Sequence, residues 1–109
     1  MDVLNILDRV PDDYYDPDFL ILLESHLTYF LNNKITGSIT VEPTMAMKYR
    51  GDLFGMLKEI GVQSKYHYMV MRLNGYKSSA DYLGDRMEFL QPDFSEIDLL
   101  KQIFKTQSA

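Results

Sequence analysis

The sequence predicts an α+β fold with a strand–helix–helix–strand core and additional N-terminal and C-terminal helices. Apolar residues recur at helical spacing in both terminal parts of the chain. Residues 34–41 alternate between apolar and polar side chains, which is typical of a half-buried strand. Two more helical patterns lie between Gly51 and a short apolar segment that ends at Pro92. The predicted parts are an N-terminal helical segment (1–33), the core (34–93) and a C-terminal helix (94–109).

The N-terminal segment carries two helical patterns separated by an acidic loop. The first has Asp2 at its N-cap and ends at Pro11. Its apolar face, spaced i, i+3, i+4 and i+7, consists of Val3, Ile6, Leu7 and Val10. The second begins at Asp16-Pro17, because Asp accepts hydrogen bonds from the first N–H groups and Pro has none to leave unpaired. It is predicted to run to about Asn32 with a broad apolar face.

The core begins with a predicted strand over residues 34–41, which Pro43 ends. Residues 44–50 fit either a loop or a turn of helix. The next helix begins after Asp52, whose side chain is suited to an N-cap. It ends at Gly61, because glycine readily adopts the left-handed conformation that closes a helix.

The rest of the core and the C-terminal helix follow from three further patterns. A helix with apolar residues near Tyr66 and Leu73 ends at the Asn-Gly pair. A returning strand around Phe89 closes at Pro92. A capping pattern at Ser95, with an acidic residue three positions later, starts the last helix. The apolar face of that helix consists of Ile97, Leu100, Ile103 and Phe104.

Composition excludes several classes of function. The formal net charge is −5, and no basic face is large enough to neutralise a nucleic-acid backbone, so we expect no nucleic-acid partner. The chain has no cysteine, which excludes a disulfide framework and a Cys-based zinc site. No apolar run approaches the roughly 20 residues that span a bilayer, so we expect no membrane partner.

The acidic loop after the first helix is a candidate calcium site. Its carboxylates belong to Asp12, Asp13, Asp16 and Asp18. A calcium loop of the EF-hand type requires glycine at its sixth position, and Pro17 occupies that position here. We therefore interpret the segment as a solvated loop with helix caps and predict no metal.

The sequence has no recognisable catalytic machinery. His26 and His67 are the only histidines, and neither has a nucleophile or an orienting carboxylate at a catalytic spacing. We interpret both as packing residues that hydrogen-bond at one edge of the ring. A phosphate-binding glycine loop, a serine nucleophile elbow and an H-E-x-x-H motif are all missing. We predict no catalytic residue, no cofactor and no enzymatic activity.

The chain is rich in residues that suit contact surfaces, with 8 tyrosines and 7 methionines. Tyrosine is favoured where one end of the ring is buried and the other is wet, and methionine adapts to irregular surfaces. The alternative is that these residues simply fill the core. We predict that the residues contacting other proteins are Tyr14, Tyr15, Tyr76, Ile103 and Phe104.

The order of short motifs in the core resembles that of the LysM family. That family reads strand, Gly-Asp, helix, Gly-Val turn, a second helix ending in Leu-Asn-Gly, and a strand ending in Pro. The matching motifs here are Gly51-Asp52-Leu53, Ile60-Gly61-Val62, Leu73-Asn74-Gly75 and Gly84 to Pro92. The match covers about half of the chain. It departs from the family in its longer loops over 42–50 and 77–82, and in Leu53, which replaces the usual Thr.

A variant of that family suits these departures. The small baseplate wedge subunit of contractile-tailed bacteriophages has a LysM-like core with appended helices, and residues 66–74 (YHYMVMRLN) are similar to its aromatic-X-aromatic segment leading to Asn. The resemblance implies a non-enzymatic structural protein of a phage tail baseplate or neck. Its implied partners are other virion structural proteins in a multi-copy symmetric assembly. Its implied location is the virion, after synthesis in the host cytoplasm.

The LysM resemblance also implies an alternative function, a module that binds peptidoglycan or chitin. A sugar groove would then be formed by the loops over 43–49 and 75–80. Tyr49 and Tyr76 would stack on the sugar rings.

Overall fold

The computed structural model describes residues 12–108, and the structural statements below concern those residues. They form an α+β fold with six α-helices and one two-stranded antiparallel sheet, which confirms the predicted class. The helices are α1 (Pro17–Ser25), α2 (Leu27–Asn33), α3 (Pro43–Lys48), α4 (Leu53–Glu59), α5 (His67–Leu73) and α6 (Phe94–Ser108), and the strands are β1 (Ile35–Thr40) and β2 (Glu88–Pro92). Short 3₁₀ turns cover Asp12–Tyr15, Ser64–Tyr66 and Ser79–Asp81. The helix predicted over 3–10 lies outside the described residues.

Helix α1 begins as predicted, because the Asp16 side chain accepts a hydrogen bond from the Asp18 N–H at 2.8 Å. The prediction of one continuous helix to about Asn32 is wrong, since the chain leaves helical geometry at His26 (φ −106°, ψ 8°). The His26 N–H donates to the Leu23 carbonyl three residues back, which tightens the last turn of α1. Helix α2 restarts at the next residue.

The predicted pair of strands is confirmed. Ile39 lies opposite Phe89 in an antiparallel register, and an irregularity separates Ile35 from Gly37. The Val41 N–H donates to the Met87 carbonyl at 2.8 Å and extends the pairing beyond β1. Within β1, Ile39 is buried and Ile35 is partly buried, while Gly37 between them is exposed.

Residues 44–50, which fitted either a loop or a helical turn, form most of α3. Three α-helices therefore lie between the strands, where the sequence predicted two. Ala46 of α3 is fully buried against the segment that returns to β2. A Cβ at Gly84 would lie 3.0 Å from the Ala46 carbonyl oxygen, and φ at that residue is +77°, so glycine is required there.

The caps of the later helices agree with prediction at α4 and differ at α6. The Asp52 side chain accepts a hydrogen bond from the Gly55 N–H at 3.0 Å, and Gly61 closes α4 at φ +98°. The prediction that Ser95 caps α6 is wrong. Asp93 caps it instead, accepting hydrogen bonds from the Ser95 N–H at 3.0 Å and the Ser95 hydroxyl at 2.5 Å.

Two buried clusters form the core. The first packs α3, α4 and one side of α5 against the sheet, and consists of Ile39, Val41, Ala46, Leu53, Met56, Leu57, Val70, Met71, Tyr82 and Phe89. The second packs α1, α2 and α6 against the other side of α5, and consists of Phe19, Leu23, Phe30, Tyr66, Met69, Leu73, Ile97 and Leu100. The second cluster draws on all three predicted parts of the chain. Helix α5 therefore joins the sheet region to the flanking helices.

Candidate functional site

The five predicted contact residues lie in three places. Tyr14 and Phe104 meet around Lys101 on α6, and Ile103 lies on the adjoining outer face of that helix. Tyr15 lines a cleft beside α4. Tyr76 packs edge-on against a buried tyrosine of the first cluster. The region around α6 therefore brings together three of the five residues.

Aromatic rings surround Lys101, which is only 3% exposed. Its Nζ lies 4.8 Å from the ring centre of Phe104, 4.9 Å from that of Phe19 and 5.7 Å from that of Tyr14. Each ring face attracts the ammonium group, most strongly where water is excluded. Tyr14 and Phe104 thus make contacts within the chain.

The burial of Lys101 was not predicted from the sequence. A lysine near the C-terminal end of a helix is ordinarily a solvent-exposed cation. The signal that could have revealed it was spacing, because Lys101 lies four residues after Ile97 and three before Phe104 on the apolar face.

Asp98 joins α6 to the two 3₁₀ turns that pack beside it. Its carboxylate accepts hydrogen bonds from the Tyr14 hydroxyl at 2.8 Å and the Tyr66 hydroxyl at 2.7 Å, and lies 3.6 Å from the Lys65 Nζ. Burial, reinforced by the hydrogen bond to this carboxylate, raises the pKa of Tyr66 to about 12. The Tyr66 ring also stacks on Phe94, with ring centres 4.4 Å apart.

Two adjoining clefts run along α6. One, of about 300 Å³, is lined by Tyr14, Lys65, Asp98, Lys101, Gln102 and Lys105. The other, of about 250 Å³, is lined by Gln102, Ile103, Thr106 and Gln107. Gln102 lines both clefts, and we name the two clefts together the α6 groove.

An apolar strip follows the outer face of α6 beside this groove. Leu99 is 50% exposed and Ile103 is 42% exposed, and their spacing of four residues places them on one face. Glu96 lies on the same face and accepts a hydrogen bond from the Tyr29 hydroxyl at 3.3 Å. We name Tyr29, Leu99 and Ile103 the α6 strip.

A separate cleft of about 220 Å³ lies between α4, α5 and the turn before α5. Tyr15 lines it and donates its hydroxyl to the Ser64 carbonyl at 2.9 Å. His67 also lines it, with Nε2 2.7 Å from the Val62 carbonyl oxygen, so that nitrogen carries the proton. Burial lowers the pKa of His67, which keeps the ring neutral. As predicted, His67 is buried and one edge of its ring is hydrogen-bonded.

The loop that contains Tyr76 is held by a network that sequence reasoning missed. Arg72 donates Nη1 to the Tyr76 carbonyl at 3.0 Å, and its Nη2 and Nε to the two carboxylate oxygens of Glu24. Tyr68 donates its hydroxyl to Glu24 at 2.5 Å. The hydrogen bonds from Arg72 hold the pKa of Glu24 below its usual value. These contacts tie α1 to α5.

Hydrogen bonds join the segment just after the first loop proposed for a sugar groove (43–49) to the second loop (75–80) and the residues that follow it. The Gly51 N–H donates to the Tyr82 carbonyl at 2.7 Å, and the Phe54 N–H donates to the Ser79 hydroxyl at 2.9 Å. Tyr49 donates its hydroxyl to Glu59, and Tyr76 packs its ring against Tyr82 with centres 5.8 Å apart. Both tyrosines thus have partners within the chain.

We expect alkaline titration to reveal the buried phenols. Burial raises the pKa values of Tyr15, Tyr66 and Tyr68 to about 12, above the usual value near 10. In the pH range between these values the folded chain holds protons that the unfolded chain has lost. The free energy of unfolding is therefore full below about pH 10 and falls as pH rises toward 12. Tyrosinate absorbance and circular dichroism measured together check this. Ionisation of all eight tyrosines near pH 10 with the fold intact would contradict it.

The described part of the chain carries no marker of a metal site or a membrane span. Within residues 12–108, no group of three or more His, Cys, Asp or Glu side chains is arranged to hold a metal ion. No helix in that range is both long and apolar enough to cross a membrane. Comparison with known proteins finds no family model, curated protein or solved structure that matches the chain.

Proposed function

We propose that this chain is a non-enzymatic structural protein of a phage virion, in the tail baseplate wedge or the neck, and joins neighbouring subunits through the α6 strip. The observation that carries the docking role is the double use of α6. One side of the helix is buried in the second cluster, while Leu99 and Ile103 on the other side are exposed to about half. A helix that only completed its own core would need apolar residues on one side alone.

The chemistry of the α6 strip suits a protein partner. Burying one Leu or Ile side chain stabilises a complex by about 1.5–3 kcal/mol. Tyr29 adds a half-exposed ring whose hydroxyl is held by Glu96, and such rings are enriched at protein interfaces. The cationic cleft beside the strip adds polar contacts at its rim.

The assignment to a phage virion is supported by the motif order in residues 51–92. The antiparallel pairing of β1 with β2 agrees with the strand–helix–helix–strand plan that the motifs imply, whereas α3 is a helix that this plan does not contain. Under this proposal, α1, α2 and α6 would be the appended helices of the baseplate variant.

A paired substitution tests the docking role. We expect Leu99→Asp with Ile103→Asp to reduce incorporation into density-purified phage particles by at least about tenfold, because two desolvated carboxylates would oppose a contact surface. Thermal stability should stay close to wild type, since both side chains are exposed. Ile21→Asp is the matched control, because Ile21 is 66% exposed on α1. Phe104→Ala is unsuitable as a test of docking, because Phe104 packs on Phe19 and its removal would also disturb the fold.

Each outcome of that experiment is informative. If wild-type chain is missing from purified particles, the virion role is wrong. If the doubly substituted chain enters particles as well as wild type does, the α6 strip is not the docking surface. An equal loss of incorporation for the Ile21→Asp control would show that the effect is not specific to the α6 strip.

The glycan-binding alternative predicts a different result. Tyr49 and Tyr76 are both engaged by partners within the chain, so we expect no saturable co-sedimentation with peptidoglycan or chitin. Saturable binding that is lost when Tyr49→Ala and Tyr76→Ala are combined would support the glycan module instead. The folded state of both samples is checked by circular dichroism.

A further inference from the structure

We propose that the outer edge of β1 pairs with the same edge of a second copy of this chain, which joins two sheets into one four-stranded antiparallel sheet. We name residues 34–42, which run from the end of α2 to the start of α3, the β1 edge. The inference concerns the purified chain alone, so it does not rest on the virion role or on the α6 strip. It assigns the chain a symmetric homodimer.

The register of the sheet fixes which backbone groups of β1 point outward. Ser38 lies opposite Leu90, and Thr40 lies opposite Glu88. The Leu90 N–H and carbonyl pair with the Asn74 side chain, on the side of β2 away from β1. In an antiparallel ladder, two opposed residues point their N–H and C=O groups either toward each other or both away. Those of Ser38 therefore point to the outer edge, and those of Thr40, two residues later, do the same.

The β1 edge is open within residues 12–108. The sheet there has two strands, so β1 pairs with β2 alone. No turn or loop of that part of the chain donates to or accepts from the backbone of Ser38 or Thr40. The side chains of Thr40 and of residues 36–38 are exposed. Such an edge presents donors and acceptors at the spacing that another strand requires.

The sequence of the β1 edge lacks most of the features that prevent strands from pairing. Natural edge strands carry lysine, proline or a bulge where another strand would add. Residues 35–41 (ITGSITV) include no charged residue and no proline, and five of the seven are β-branched, which favours strand pairing. The irregularity between Ile35 and Gly37 lies at one end of the strand. The central and C-terminal parts of β1 are therefore suited to accept a further strand.

The occupant that fits this edge is a second copy in antiparallel orientation. The edge lies between two helices, and Ser38 is the midpoint of residues 34–42. Two antiparallel copies overlap along the whole edge only when Ser38 lies on the two-fold axis, opposite the second copy's Ser38. The outward N–H and C=O of each Ser38 would then exchange two hydrogen bonds.

Charge complementarity supports the same register. It places Lys34 at one end of the edge opposite the second copy's Glu42 at the other end, and the symmetry repeats this pair. Opposite charges on facing strands are stabilising, whereas a parallel arrangement would bring like charges together. The Lys34 Nζ lies 3.6 Å from a Glu96 carboxylate oxygen, so Lys34 would be shared between Glu96 and the second copy.

The pairing closes at two copies. A two-fold interface uses the same surface on both partners, so neither β1 edge remains open. The outer strands of the joined sheet would be the two β2 strands. The outer edge of each β2 is occupied at Leu90 by the Asn74 side chain. We therefore expect a dimer and not a growing sheet.

Single-cysteine cross-linking tests both the pairing and its register, because the chain has no native cysteine. In the proposed register, Ser38→Cys places two thiols on opposed residues whose Cα atoms are about 5.5 Å apart, which a disulfide spans. Thr36→Cys is the matched control, since the second copy's residue 36 would lie four residues along the strand, about 13 Å away. We expect Ser38→Cys to give at least about tenfold more disulfide dimer than Thr36→Cys under mild oxidation. Equal or reversed yields would overturn the proposal.

Sedimentation equilibrium measures the association without a cross-link. We expect the average mass of the wild-type chain to rise from 12.7 kDa toward twice that value between micromolar and millimolar concentration. Ser38→Pro should remain a monomer, because proline removes the outward N–H while the bonds to β2 stay intact. Ser38→Ala keeps that N–H and should dimerise as the wild type does.

Two results of the mass measurement would contradict the dimer. One is a wild-type chain that stays monomeric at the highest concentration. The other is a Ser38→Pro chain that is folded by circular dichroism and dimerises like the wild type, since the contact would then lie away from β1. If Ser38→Pro does not fold, the comparison of Ser38→Cys with Thr36→Cys decides the question by itself.

Discussion

Asn74→Ala is expected to lower the free energy of unfolding by about 3 kcal/mol. The Asn74 side chain, only 6% exposed, pairs with the backbone of β2 on the edge away from β1. Its Oδ1 accepts from the Leu90 N–H at 2.7 Å, and its Nδ2 donates to the Leu90 carbonyl at 3.1 Å and to the Val70 carbonyl at 2.7 Å. The side-chain amide thus pairs with the backbone of Leu90 as a neighbouring strand would.

The expected loss of unfolding free energy is large because the polar groups that Asn74 pairs with remain in the protein. Alanine would leave the Leu90 N–H and carbonyl without partners, and each buried unpaired polar group costs about 1–3 kcal/mol. Arg86 would also lose its contact with the Asn74 Oδ1, now 2.9 Å from Nη2. Urea denaturation measures the effect. Asn33→Ala is the matched control, because Asn33 is exposed and makes one hydrogen bond to its own helix. A loss for Asn74→Ala no larger than for this control would contradict the account of β2.

Phe19→Ala is expected to cost about 3–5 kcal/mol, the range typical of a large aromatic side chain removed from a core. Phe19 is fully buried, and its ring centre lies 5.7 Å from that of Tyr14 and 5.4 Å from that of Phe104. It also forms one wall of the site around Lys101. Alanine would open a cavity and leave the Lys101 ammonium with less of its aromatic surroundings.

The same helix supplies a control for Phe19. Ile21→Ala, at a position 66% exposed, should change the free energy of unfolding by no more than about 0.5 kcal/mol. Denaturation followed both by tyrosine fluorescence and by circular dichroism measures the two variants. If Phe19→Ala cost less than about 1 kcal/mol, α1 would not belong to the cooperative core. A single transition for the wild type, seen by both probes, is the result expected from the shared second cluster.

These two variants separate two roles of α5. Asn74, which ends this helix, secures the sheet, while Met69 and Leu73 contact the cluster that contains Phe19. The chain parts predicted as separate segments therefore depend on one helix. A loss at either side of α5 is expected to weaken the whole fold, because both clusters use it.

Local signals in the sequence predicted most of the elements. The alternation over residues 34–41 predicted β1, and the pair Asp52 and Gly61 predicted both ends of α4. These predictions succeeded because an N-cap carboxylate and a left-handed glycine act on the backbone within a few residues. The α+β class followed from the same patterns, since their periods differ between helix and strand.

Residues whose role depends on distant parts of the chain were predicted less well. Ser95 carried the capping pattern, yet Asp93 caps α6, and the break at His26 divides a continuous apolar pattern. Of the contact candidates, Ile103 is exposed, whereas Tyr14 packs with Phe19 and is bonded to Asp98. Helical spacing places a side chain on a face but does not identify what covers that face.

The sequence by itself determined the fold class, the two strands and the helix ends that depend on local caps. Only the tertiary structure decided that Lys101 lies among three rings, that Asn74 completes the edge of β2, and that the second cluster unites the flanking helices with α5. The physical reason is the distance along the chain over which each interaction acts. Caps, turns and side-chain periodicity act over a few residues, whereas burial and hydrogen bonding of a buried polar group depend on residues far apart in the chain.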